Sequence, residues 1–192
     1  MSIRVFLAIS LNSEICEALD QFQDHAASIL TVKWVRPDSM HLTVKFLGDI
    51  EPGHVAVLQE ALREVVEDTA QFSLRIKGIG GFPSLQRPRV LWAGVFGEVD
   101  HLEVLVSCVE SALSPLGYAQ ESRPYHPHLT LSRIKSNTRE IGRIIESSDL
   151  LKQEWVFGNV IVDRLCLFQS RLTSHGAIYS LLCELPFGKK NV

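Results

Sequence analysis

The tetrapeptide HLTV at His41 to Val44 comes back as HLTL at His128 to Leu131, each time inside an apolar run bounded by turn residues. No other feature constrains the fold so strongly. Successive strand side chains point to opposite faces, so His41 and Thr43 share one face while Leu42, Val44 and Phe46 share the other. The same parity groups His128, Thr130 and Ser132 against Leu129 and Leu131. Each copy therefore presents an imidazole and a hydroxyl on one side and anchors in a core with the other. Seven histidines and six threonines in 192 positions predict roughly 0.2 His-x-Thr matches by chance. Two matches sharing one middle residue point to a site.

The surrounding pattern repeats as well. Ile3 to Ile9 reads as a buried strand, and Asn12 or Ser13 offers an N-cap to a helix with apolar positions Ile15, Ala18, Leu19, Phe22, Ala26 and Ile29. Lys33 to Arg36 reads as a short strand before Pro37, and His41 to Leu47 as a longer one ending at Gly48. Pro52 suits the first turn of a second helix whose stripe is Val55, Leu58, Leu62 and Val65 or Val66. Phe72 to Ile76 alternates as a strand, and Arg89 to Phe96 follows as another. A third helix carries Leu102, Leu105, Val106, Val109 and Leu113 and stops near Pro115 and Gly117. The second motif strand runs from about Pro127 to Ile134. A weaker helix around Ile141 to Ile145 precedes strands near Trp155 to Val162, Arg164 to Gln169 and Ala177 to Glu184.

Helix and strand blocks do not alternate regularly enough for a doubly wound parallel sheet. The expected fold class is α+β: a duplicated, pseudo-twofold, two-lobed unit of mainly antiparallel sheets, with helices outside. Residues 1–192 should form a single domain. The Gly/Pro-rich stretch from Gly78 to Pro88 is the expected seam between its lobes.

Composition narrows the functional classes. With 46% hydrophobic residues the chain can bury a sizeable core, and no run approaches the roughly 18 apolar residues of a membrane span. The opening MSIRVFLAISLN reads as a first strand, since Asn12, Ser13 and Glu14 follow in place of a signal-peptide cleavage site. Cys16, Cys108, Cys166 and Cys183 are scattered, as expected of buried thiols in a reducing cytoplasm. A net charge of −3 argues against a protein that coats duplex nucleic acid. The stretch from Arg123 to Arg143 is locally basic, with Arg123, Arg133, Lys135, Arg139 and Arg143 against Glu140. It surrounds the second motif and suits a small anionic ligand.

Two imidazoles facing one cavity perform what one cannot. With ordinary pKa values near 6.5, one can accept a proton while the other donates one. Paired hydroxyls supply neutral donors for the oxygens of a tetrahedral anion. A phosphodiester matches those demands.

The paired motifs resemble those that define the two-histidine (2H) phosphoesterases. VFLAI, KWVRPDSMHLTVKFLGDI, RPRVLWAGV and RPYHPHLTLSRIK are similar to the RNA 2′,3′-cyclic phosphodiesterases, also called 2′-5′ RNA ligase-like proteins. The similarity spans Ile3 to about Lys135, more loosely to Tyr179. It implies a two-lobed α+β fold with a central cleft and a metal-free, cofactor-free reaction that opens a terminal 2′,3′-cyclic phosphate on RNA to a 2′-phosphate. RNA ligation is implied as a side activity. On this chain the resemblance makes His41 the acid for the departing 3′ oxygen, His128 the base for water, and Thr43 and Thr130 the phosphate holders. Tyr125, His126 and Arg133 fall at positions near the ligand, suited to stacking on a base or pairing with phosphate. A cytoplasmic monomer without membrane attachment, acting on RNA or a nucleotide that ends in a cyclic phosphate, is the expectation. Two alternatives stand beside it: a zinc hydrolase using His41, His126 and His128, and a noncatalytic nucleotide-binding module.

Overall fold

A computed structural model describes residues 2–173 and 176–188. Among these residues eight strands form two antiparallel four-stranded sheets, and four α-helices pack outside them. The first sheet runs β2-β1-β7-β8 and the second β5-β4-β3-β6, with β1 Ile3–Ser10, β2 His41–Ile50, β3 Phe72–Phe82, β4 Val90–Gly97, β5 His128–Arg133, β6 Val156–Val162, β7 Arg164–Thr173 and β8 Gly176–Pro186. The α+β expectation holds. The first sheet is assembled from both ends of the chain, since β7 and β8 join β1 and β2, whereas β3 to β6 form the second.

Apolar spacing explains each helix. In α1, Ser13–Ala27, the residues Ile15, Leu19, Phe22 and Ala26 are buried at helical spacing; each such large side chain contributes about 1.5–3 kcal/mol when removed from water. Asn12 caps this helix by accepting from the Ile15 N–H at 3.0 Å, and its amide donates to the Asn159 carbonyl at 2.9 Å, tying the helix start to β6. Leu58, Leu62 and Val66 form the buried stripe of α2, His54–Asp68. In α3, Val99–Leu113, Leu102, Leu105, Val106, Val109 and Leu113 do so. The amphipathic α4 spans Thr138–Ser147. On β1, Val5, Leu7 and Ile9 enter the core with these stripes, which leaves Phe6 and Ala8 on the opposite face.

Both motif strands are edge strands, and the two edges meet. The Val35 N–H donates to the Leu131 carbonyl at 2.8 Å, Ser132 Oγ donates to the Lys33 carbonyl at 3.0 Å, and Trp34 bridges Ser132. From the other side, the Tyr125 hydroxyl donates to the Thr43 carbonyl at 2.8 Å. The segment preceding each motif thus bonds to the opposite motif's strand. Covering edge groups in this way removes two open sheet edges. Lys33 to Arg36, expected as a strand, forms an isolated bridge at Trp34 with these flanking hydrogen bonds and no ladder.

Each motif strand also carries a bulge at the same place. Ala8 opposes Thr43 and Leu7 opposes Lys45, leaving Val44 without a counterpart. Trp92 opposes Thr130 and Leu91 opposes Ser132, leaving Leu131 unmatched. An extra residue reverses side-chain parity beyond it. Phe46 therefore joins His41 and Thr43, contrary to strict alternation, and is 69% exposed. Ser132 turns into the core, fully buried, and Arg133 takes the face of His128 and Thr130.

The expected seam at 78–88 lies within one sheet, covering the end of β3 and its turn into β4. Its glycines serve packing and backbone shape: a Cβ on Gly80 would lie 2.2 Å from the Trp92 ring, and Gly78 adopts φ +68° at a register shift. The chain crosses between sheets along α2 and again at Asp163.

The turned-in Lys45 finds a partner. Its Nζ lies 2.7 Å from Glu110 Oε2 and 2.8 Å from the Ala119 carbonyl, with side chains only 6% and 14% exposed. This pair pins α3, and the stretch leading to the second motif, onto β2. Glu110→Ala should cost about 3–5 kcal/mol, because it strands a buried ammonium. A denaturant midpoint should show it, and the double variant Lys45→Met, Glu110→Leu should lose less.

Candidate active site

The two histidines are held by the same device. His41 Nδ1 lies 3.1 Å from the Ser39 carbonyl, and His128 Nδ1 lies 2.7 Å from the His126 carbonyl. A carbonyl oxygen only accepts, so each Nδ1 carries the hydrogen, and in a neutral ring Nε2 keeps its lone pair. In each case the acceptor is the residue two positions before the histidine.

Aromatic walls complete the positioning. His41 packs against Phe6 at 4.5 Å between centroids and edge-on to Tyr179 at 4.9 Å, with Phe168 at 6.1 Å. His128 meets Phe82 edge-on at 5.1 Å. Phe82 opposes Val90 on β4 as Phe168 opposes Phe6 on β1, so the two walls are equivalent in the pseudo-twofold arrangement. Burial, reinforced by the nearby Arg133 charge, pushes the His41 pKa down to about 4 against the opposing effect of the Ser39 carbonyl. The same influence places Arg133, from the second sheet, within electrostatic reach of the first motif.

Thr43 and Thr130 are half-buried beside their histidines. Phe82, Trp92, Gly94, Val95, Phe96, His126, Pro127 and His128 line a cleft of about 240 Å³. A larger groove of about 520 Å³, between α2 and α3, contains neither motif.

Five of the seven expected site residues, His41, Thr43, His128, Thr130 and Arg133, thus fall on the two facing edge strands. His126 is exposed at the cleft rim. Tyr125 sits differently from a stacking residue: its ring is partly buried, burial raises its phenol pKa, and its hydroxyl is committed to the Thr43 carbonyl. Among the described residues no three of His, Cys, Asp or Glu form a group able to hold a metal ion, so His41, His126 and His128 do not converge as ligands. Cys108 is exposed, contrary to the expectation of buried thiols, whereas Cys166 is buried and Cys16 and Cys183 are partly so. Sequence reading misses the aromatic walls. Phe6 and Phe168 lie in apolar runs that look like core, and Phe46 changes face at a bulge that leaves no local mark.

Two pseudosymmetric α+β lobes whose edge strands each carry a His-x-Thr motif and meet side by side have the layout of the two-histidine class of phosphoesterases. The LigT-like phosphoesterase family model matches residues 9–92 and 97–179, and the chain belongs to that family. An RNA 2′,3′-cyclic phosphodiesterase of Aquifex aeolicus is 31% identical over 189 residues, covering 97% of this chain and 98% of that one. The enzyme of the same name from Thermotoga maritima is 32% identical over 186 residues, with 96% of each covered. The fold matches the crystal structure of TT0787 of Thermus thermophilus at a TM-score of 0.77 and 23% identity, covering 97% of this chain and 98% of that one. Escherichia coli LigT, crystallised with 3′-AMP, also gives 0.77, at 24% identity, with 98% and 100% covered.

Proposed function

We propose that this chain hydrolyses a terminal 2′,3′-cyclic phosphate on RNA to a 2′-phosphate, with the two motif histidines as acid and base. The supporting observation is the doubled Nδ1 anchor, which leaves both Nε2 atoms available beside paired threonines. Water attacks phosphorus as His128 Nε2 takes its proton. The bond from phosphorus to the 3′ oxygen breaks as that oxygen takes a proton from His41 Nε2. Thr43 and Thr130 donate to the non-bridging oxygens, and the Arg133 guanidinium faces their charge. Tyr125 positions β2 through the Thr43 carbonyl, and His126 borders the nucleoside.

His41 is neutral in the free protein near pH 7, the opposite of what an acid needs. A bound phosphodiester resolves this: its negative charge offsets Arg133 and favours the imidazolium. His41 Nε2 then takes up a proton from solvent as the substrate binds.

No helix among the described residues is long and apolar enough to cross a membrane. The four free cysteines fit a reducing compartment, and the reading places the enzyme in the cytoplasm as a monomer.

Purified protein incubated with an RNA ending in a 2′,3′-cyclic phosphate should yield a 2′-phosphate and a free 3′ hydroxyl, at a rate unchanged by EDTA. A 3′-phosphate product would overturn the roles assigned here. Loss of turnover with EDTA and recovery with zinc would favour the zinc hydrolase, and no turnover at all the binding module.

A further inference from the structure

The cleft beside His128 continues along β4 past the residues used above. Gly94 opposes His128 in register, and the Phe96 ring leans over it: a Cβ on Gly94 would lie 2.8 Å from Phe96 Cε2. The Lys77 carbonyl would lie 2.8 Å from the same Cβ, so glycine accommodates both the neighbouring strand and the ring, and the ring is 47% exposed and lines the same cleft as His128. An exposed aromatic held against bare backbone has no core to pack and is preorganised for a flat ligand.

The surroundings are cationic. Arg75 opposes Phe96 directly across the β3–β4 pair, and Lys77 opposes Gly94. Phe72, Leu74 and Ile76 are buried in the core, so Arg75 and Lys77 share the cleft face. Lys77 Nζ lies over the Phe96 ring, 5.0 Å from its centroid, and 2.6 Å from Glu154 Oε1, whose charge also faces Arg75. Even with Glu154 counted, one positive charge remains beside the ring. An aromatic platform flanked by cations and continuous with a phosphate site matches the way proteins hold single strands, by stacking bases and tracking phosphates.

We propose that Phe96, with Arg75 and Lys77, forms a subsite for the nucleotide upstream of the one bearing the cyclic phosphate, making a single-stranded RNA 3′ end, rather than a mononucleotide, the preferred substrate. This rests on the cyclic phosphodiesterase reading above. Stacking at Phe96 supplies binding without base specificity, because every base has a π face. A base stacking on the ring face under Lys77 takes the place of the ammonium, which swings to the phosphate that joins the last two nucleotides. Arg75 meets the same phosphate.

The test compares kcat/KM for adenosine 2′,3′-cyclic phosphate with that for a dinucleotide ending in the same group. The dinucleotide should be favoured by about 5- to 100-fold, the effect of one base stacked on an aromatic side chain. Phe96→Ala should collapse that ratio toward one, and Phe96→Trp should retain it. Arg75→Ala should make the dinucleotide's kcat/KM less dependent on salt, by about 0.7 in log–log slope for one phosphate contact. Equal kcat/KM for both substrates in the unaltered protein overturns the subsite, as does a ratio untouched by Phe96→Ala. If neither substrate is turned over, the cyclic phosphodiesterase reading fails and takes this proposal with it. Turnover of both with no preference overturns the subsite alone. Phe96 and Arg75 are both exposed, so loss of folding should not obscure the ratio.

Discussion

His41→Ala and His128→Ala are each expected to lower turnover of a 2′,3′-cyclic phosphate by about 100- to 10,000-fold, the range for removing a general acid or base. Each imidazole is held by a backbone carbonyl and an aromatic wall, so a replacement leaves nothing that can reach the same point. A substrate with sulfur in place of the 3′ bridging oxygen separates the roles. Its leaving thiolate needs little protonation, since a thiol's pKa is near 8.5. His41→Ala should recover much of its lost rate on this substrate and His128→Ala should not. Recovery by His128→Ala would exchange the roles.

The pH profile gives the same answer from the unaltered protein. If His41 must carry a proton, log kcat/KM falls as pH rises above about 4, its pKa in the free protein. The fall in kcat begins at higher pH, because bound phosphate raises that pKa. A kcat/KM that instead rises through pH 4 would make neutral His41 the base.

Thr43→Val and Thr130→Val are expected to lower the rate by about 10- to 1,000-fold, as loss of an oxyanion donor does. Valine keeps the β-branched shape and the strand preference, so only the hydroxyl is removed. The loss should appear in kcat more than in KM, because the hydrogen bonds strengthen as charge builds on the phosphorane oxygens. Steady-state kinetics on variants with unchanged melting temperature measures it. A change below twofold would show that both hydroxyls are structural.

The motif, the face shared by each His and Thr, and the order of strands and helices follow from residue identity and spacing. These are local properties. The helix stripes at Ile15 to Ala26 and Leu102 to Leu113 lie where periodicity puts them, and the cap at Asn12 is one of the two positions, Asn12 or Ser13, that the sequence offers. The edge-to-edge contact of β2 and β5, the pairing of Lys45 with Glu110, and the bulges at Val44 and Leu131 belong to another kind of information. A bulge exists only relative to the strand opposite, and no residue in HLTV or HLTL announces it. Yet those bulges turn Lys45 and Ser132 inward and set Phe46 and Arg133 on the cleft face. The glycines at 78–81 resemble a linker for the same reason: glycine marks either a flexible joint or a close approach, and only the Trp92 ring lying against Gly80 decides between them. The paired chemistry is therefore written in the chain, while its charge partner, aromatic walls and electrostatic setting come from which strands meet.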